Sequence, residues 1–121
     1  MKLRIKGNSI RFRLSRSEVQ QLSSGVALEE STSFGTRKLV YSVRPSESKG
    51  LSATYDRDAI TLYISREYLS DWHLNDVVGF DETVMLDQQQ SLKLLIEKDF
   101  KCLDVSEEDQ SEFFDNPGKT C

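Results

Sequence analysis

The sequence predicts a single α+β domain: a mostly antiparallel sheet, strongly bent or barrel-like, with two short helices packed on its apolar face. Three observations carry that expectation. Alternation of apolar and polar residues dominates, most clearly in Ser91–Leu103, where Leu92, Leu94, Ile96, Phe100 and Cys102 take one side. Lys93, Glu97, Asp99 and Lys101 take the other side. Alternating runs also flank short turns at Gly7-Asn8 and Asp56-Arg57-Asp58, the mark of hairpins. Finally, helix-start signals occur at Ser15 and Ser65, each followed by a short apolar stripe.

In chain order, Leu3–Leu14 is expected as a hairpin about Gly7-Asn8, with Ile5 facing Ile10 and Leu3 facing Phe12. The same register sets Arg4 opposite Arg11 and Lys2 opposite Arg13. Like charges across a strand pair are destabilising unless something negative lies near. Ser15-Arg-Ser-Glu18 reads as a capping box, with Leu14 and Val19 as a hydrophobic staple, Val19 and Leu22 facing inward, and Gly25 ending the helix. Val26–Ser31 and Lys38–Arg44 read as strands and Pro45–Gly50 as a loop. A second hairpin joins Leu51–Tyr55 to Ala59–Ile64, and a second helix runs over Ser65–Trp72. Val77–Phe80 and Thr83–Leu86 read as short strands before the long one. Within that last strand Lys98 falls on the apolar side, which points to a bulge rather than to a buried site lysine or one snorkelling at the sheet edge.

The expected core is Leu3, Ile5, Ile10, Phe12, Leu14, Val19, Leu22, Leu39, Tyr41, Ile60, Leu62, Ile64, Leu69, Trp72, Leu94 and Ile96. Hairpin, serine cap, arginine and apolar residues recur fifty positions apart, Leu14–Leu22 against Ile64–Trp72. A duplicated ββαββ unit is one reading of this, and two unrelated strand-to-helix junctions are the other.

At 121 residues the chain suits one domain, able to bury about two-thirds of its unfolded surface. We assign residues 1–103 to it and 104–121 to an acidic, loosely ordered tail. The N-terminus lacks a signal peptide's hydrophobic core, and no run approaches the roughly 18 apolar residues of a membrane span. A cytoplasmic location is expected, with Cys102 and Cys121 as thiols and no membrane partner.

Charge is polarised along the chain. Residues 1–60 carry eleven Lys/Arg against six Asp/Glu, whereas residues 61–121 carry five against fourteen. Met1–Arg16 holds six cations and no acid, and Asp104–Asp115 six acids and no base. Such asymmetry implies either an internal contact or two surfaces with different partners.

Ile5-Lys-Gly-Asn-Ser-Ile-Arg-Phe-Arg-Leu14 at one end, and Glu97-Lys-Asp-Phe-Lys-Cys-Leu103 with the later Asn116-Pro117 at the other, resemble signatures of a family of small uncharacterised bacterial proteins. The resemblance spans the whole chain. It implies a compact cytoplasmic domain and supplies no catalytic residues.

Two functional readings follow. In the first, Arg4, Lys6, Arg11 and Arg13 form a basic hairpin face for an anionic small ligand or an acidic protein segment, with no catalysis and no cofactor. The acidic tail is itself such a segment and could gate that face; it would also compete with nucleic acid, which argues against that partner. In the second, Glu97 and Asp99 share a divalent metal such as Mg or Mn, and the enzyme hydrolyses a phosphate or polyphosphate. A plainer role for Glu97 and Asp99 is a charge ladder separating the arginines. For His73, the only histidine, nothing in Trp72-His73-Leu74-Asn75 suggests a nucleophile beside it. Exposed sheet edges admit a homodimer.

Overall fold

Among the described residues, alternation produces eight strands that sort into two sheets rather than one. The computed structural model describes residues 1–100 and Phe114. In order the elements are β1 (Lys2–Lys6), β2 (Ser9–Leu14), α1 (Arg16–Ser23), β3 (Leu28–Ser33), β4 (Lys38–Ser46), β5 (Leu51–Asp56), β6 (Ala59–Ser65), α2 (Arg66–Leu69), β7 (Gly79–Met85) and β8 (Ser91–Lys98). The first sheet has the order β1-β2-β8-β7 and the second β3-β4-β6-β5. Each is mixed, since β2 runs parallel to β8 and β4 parallel to β6, while the outer pairs are antiparallel hairpins.

The single bent or barrel-like sheet is thus corrected to two open four-stranded sheets. The reason is topological. After each helix the chain crosses to the other sheet, so β2 pairs with the remote β8 while β4 skips its neighbour β5 to pair with β6, partnerships that alternation alone cannot encode.

The first hairpin has the expected register, with Ile5 opposite Ile10, Leu3 opposite Phe12 and Arg4 opposite Arg11. Gly7 takes φ +55° in the two-residue turn, a conformation that costs a residue with a Cβ more. The capping box also forms: Glu18 N donates to Ser15 Oγ at 3.4 Å, and Ser15 N to Glu18 Oε1 at 2.8 Å. The second helix is shorter than the sequence suggests, a single turn capped by Ser65, whose hydroxyl accepts from Glu67 N at 3.2 Å. β4 continues through Pro45 into the expected loop. Its pairing with β3 ends at Val43, so on that side the missing Pro45 N–H has no partner to lose. The two short strands expected near residue 80 are one, β7.

Inner faces of both sheets share one core with the helices, built on Phe12, Leu14, Val43, Leu62, Ile64, Trp72, Leu94 and Ile96. The helices follow the ends of β2 and β6 that lie away from the turns, and they close that end of the core. Trp72 donates its indole N–H to the Val77 carbonyl at 2.8 Å and packs on Phe80, which also stacks on Tyr68. Two carboxylates tie sheet to sheet. Glu82 of β7 accepts from the Leu51 amide at the start of β5 at 3.0 Å, and Glu30 of β3 lies 2.8 Å from the Met1 ammonium before β1.

Ile5 departs from the expected core. It is 55% exposed, and Ile10 and Leu39 are only half-buried, because the sheets part at the end that carries the hairpin turns. Leu28, Val43 and Leu51 complete the core instead. The end of the expected long strand (Lys101–Leu103), both cysteines and the tail apart from Phe114 lie outside the described residues. Phe114 N donates to the Asp99 carbonyl at 2.7 Å, and its ring meets Phe100 edge-on at 6.0 Å. Among the described residues no helix is long and apolar enough to cross a membrane.

Candidate anion-binding face

Strict alternation in β1 and β2 sends every second side chain to the outer surface of the first sheet. The ladder registers arrange these in rows: Lys2, Arg13 and Glu97; Arg4, Arg11 and Leu95; Lys6, Ser9 and Lys93. Among the described residues six cations therefore share one face, and the hairpin backbone holds Arg4 and Arg11 directly opposite each other.

Glu97 sits between two of them. Its Oε1 lies 3.5 Å from the Nε atoms of both Arg11 and Arg13. Asp99 Oδ2 lies 3.1 Å from Lys2 Nζ. Of the two carboxylates expected as alternative metal ligands, Glu97 is thus a rung of a charge ladder on the outer sheet face, and Asp99, buried just past the end of β8, pairs with Lys2. Among the described residues no three metal-ligating side chains cluster.

Arg11 also borders a second arrangement, with cations that Glu97 does not reach. Arg4, Lys6, Ser9 and Arg11 line a surface hollow of about 210 Å³. Arg4 and Lys6 form no ion pair among the described residues. Two guanidinium groups, an ammonium and a hydroxyl around one hollow give convergent donors for a tetrahedral or planar oxyanion, with bidentate bonds from the arginines. Of the four residues that sequence reasoning assigned to this face, the structure brings three together around the hollow; Arg13 lies outside it and, like Arg11, pairs with Glu97. Whether the acidic tail approaches the face lies outside the described residues.

Lys98 does not mark a bulge. It stays in register opposite Leu14, is 4% exposed, and donates to the Asn75 carbonyl at 2.7 Å. Its ammonium also lies 5.0 Å from the Phe114 ring and 5.8 Å from Trp72. Burial lowers its pKa below the ordinary lysine value, and Asp76 opposes that shift. His73 falls in the turns after α2.

Sequence reasoning missed a second concavity, an apolar cleft of about 460 Å³ between the sheets. The available signal was Ala53, a small residue midway along an otherwise well-filled inner row.

A family of unknown function (DUF7009) matches residues 1–118. The chain belongs to that family. This accords with the likeness to small uncharacterised proteins that the hairpin and strand motifs carry. Neither the curated proteins nor the solved structures give a match. Family membership supplies no activity, so the function rests on the geometry above.

Proposed function

We propose that the protein is a small non-catalytic binding module whose outer β1-β2 face receives an anionic ligand or acidic segment, centred on Arg4, Lys6 and Arg11. The observation that carries this is the hollow these three share with Ser9, in which Arg4 and Lys6 lack carboxylate partners among the described residues.

A comparison within the molecule supports it. The second sheet builds the same strand order with Thr54 opposite Thr61 where the first has Arg4 opposite Arg11, and Ser52 opposite Tyr63 where the first has Lys2 opposite Arg13. The architecture does not need the cations. We place this activity in the cytoplasm, in keeping with the two cysteines expected as thiols.

A thermal-shift titration with inorganic triphosphate, with and without Mg²⁺, tests the reading on three proteins: wild type, Arg4→Ala/Lys6→Ala and Glu97→Gln/Asp99→Asn. Metal-independent stabilisation, lost in the arginine–lysine variant and weakening with salt, is the expected result. Stabilisation that requires metal and vanishes in the carboxylate variant would replace the binding module with the phosphohydrolase. No stabilisation by triphosphate or by a poly-glutamate peptide would overturn both.

We further infer that the chain is a duplicated ββαββ unit, β1-β2-α1-β3-β4 followed by β5-β6-α2-β7-β8. Supporting this, every ladder step of the first hairpin recurs fifty positions later in the β5-β6 hairpin. Each sheet joins the first hairpin of one unit to the second hairpin of the other. The cross-sheet contacts also match, Glu30 on residue 1 and Glu82 on residue 51. If the halves are equivalent, a circular permutant opened in the Glu47–Gly50 loop, with its old termini joined by a flexible linker, folds with an unchanged spectrum.

A further inference from the structure

The two sheets share a core at the helix end and part at the turn end, leaving the apolar cleft. Its walls are Ile5, Ile10 and Leu92 from the first sheet and Leu39, Tyr55 and Ile60 from the second. It is wide on one side because Ala53 stands opposite Leu62 where the matched position of the first sheet has Leu3 opposite Phe12. Three side-chain carbons are missing there. At the mouth, Ile5 and Tyr55 are 55% and 72% exposed although both sit on inner-face positions. Exposed apolar surface of this kind marks a place where something binds.

What binds is indicated by the adjoining surface. A second hollow, of about 370 Å³, shares Leu39 and Tyr55 with the cleft and is bordered by Phe34, Lys38, Arg37 and Asp58. Arg37 is held by both carboxylate oxygens of Asp58. Lys38 has no ion pair among the described residues. The path from the cleft outward therefore runs from apolar walls to a single available ammonium.

We propose that this cleft binds a small amphiphilic monoanion, its alkyl or aryl body between the sheets and its carboxylate or sulfonate head at Lys38. The cleft volume falls in the roughly 300–1,000 Å³ range of small-molecule sites, and nearly all the gain comes from apolar burial. The exposed head contact adds a few-fold in affinity and fixes orientation. The apolar part of this site lies on the inner faces and its head contact at the start of β4, both separate from the basic outer face of the first sheet.

The test is a fluorescence titration with anilinonaphthalene sulfonate, followed by displacement with decanoate. Wild type is expected to bind the dye saturably with one-to-one stoichiometry and to release it to decanoate. Ala53→Leu, which restores the side chain of the matched position, lowers affinity at least ten-fold without lowering Tm. Leu92→Trp narrows the cleft from the opposite sheet and does the same, so one of the two informs even if the other misfolds. Lys38→Ala weakens decanoate a few-fold at low salt, and Arg4→Ala/Lys6→Ala leaves binding unchanged.

Wild-type affinity in both folded cleft variants, or no effect of Lys38→Ala at low salt, overturns the proposal. Loss of binding only in Arg4→Ala/Lys6→Ala puts the dye on the outer face, which removes the cleft site and leaves the basic-face reading standing. A concentration-dependent dimer abolished by Ala53→Leu assigns the cleft to a second copy and overturns the proposal too.

Discussion

Glu82 offers the most direct test of how the two sheets are held. Its carboxylate crosses from β7 to accept from the amide of Leu51 at 3.0 Å, and Leu51 itself is buried. Removing the acceptor leaves that amide unpaired where water has little access. A hydrogen bond to a charged group contributes about 1.5–3 kcal/mol, and an orphaned buried donor costs about the same. Glu82→Ala is therefore expected to lose about 2–3 kcal/mol. Glu82→Gln keeps an acceptor oxygen in place and should lose less than about 1 kcal/mol. Against a total stability on the order of 5–15 kcal/mol, the alanine variant still folds, with Tm lower by roughly 10 °C. Urea unfolding followed by fluorescence of Trp72, the only tryptophan and fully buried, measures both variants. A loss below about 0.5 kcal/mol for Glu82→Ala would mean that water replaces the carboxylate, and the bond is not structural. Equal losses for alanine and glutamine would show that negative charge matters there and the hydrogen bond does not.

Three further outcomes follow from the packing. Gly79→Ala should destabilise by about 2–3 kcal/mol, because a Cβ there would overlap the Ile96 carbonyl oxygen and lie 2.8 Å from Glu97 Cα; an unchanged urea midpoint would refute it. Burial holds the Lys98 pKa below 10.5, so unfavourable burial of its charge is complete below the folded pKa and relieved as pH rises past the unfolded value. Wild type should gain stability relative to Lys98→Met as pH climbs toward 10.5, and a pH-independent difference in Tm would contradict the burial argument. Arg57 and Asp58 both take positive φ in the β5-β6 turn, at +52° and +63°. Arg57→Asn should therefore raise stability by about 0.5–1 kcal/mol by calorimetry, and a lowered Tm would show that the arginine side chain has a contact of its own.

Local features were legible in the sequence because they depend on neighbours. The Gly7-Asn8 hairpin, its register, the Ser15–Glu18 capping box and the phase of Leu92, Leu94 and Ile96 each follow from residues within a few positions. The clash of Arg4 with Arg11 pointed to an acid nearby, and Glu97 lies beside Arg11 and Arg13, but Arg4 has no carboxylate partner among the described residues and Asp99 pairs with Lys2 instead. What stayed hidden depended on long-range pairing. Nothing in β4 announces β6 as its parallel partner, so the second sheet was invisible and the cleft with it. Ile5 shows the consequence: its alternation marks the inner face, but only the spacing of the sheets decides whether that face is closed. Lys98 failed for a different reason. A lysine on an apolar row suggests distortion, whereas here Asn75 and two aromatic rings accommodate it in a regular strand.

The basic face can also be judged by what it costs the fold. Arg4 and Arg11 stand directly opposite, an arrangement that is destabilising by about 0.2–1 kcal/mol, while a Thr–Thr pair contributes by a similar amount. The second sheet has such a pair, Thr54 with Thr61, at the corresponding rung. Arg4→Thr/Arg11→Thr transplants it. The change gives up one long contact, Arg11 to Glu97 at 3.5 Å, whose surface pair is worth about 0–1 kcal/mol, and Glu97 keeps Arg13. The net expectation is a gain of about 0.5–1 kcal/mol in urea unfolding together with at least a ten-fold loss of triphosphate affinity. Stability and binding then move in opposite directions, as they must if the cations are kept for a ligand rather than for the sheet. A double variant that is less stable than wild type would make the arginines part of the scaffold, and the hollow they line would be a by-product of the ladder.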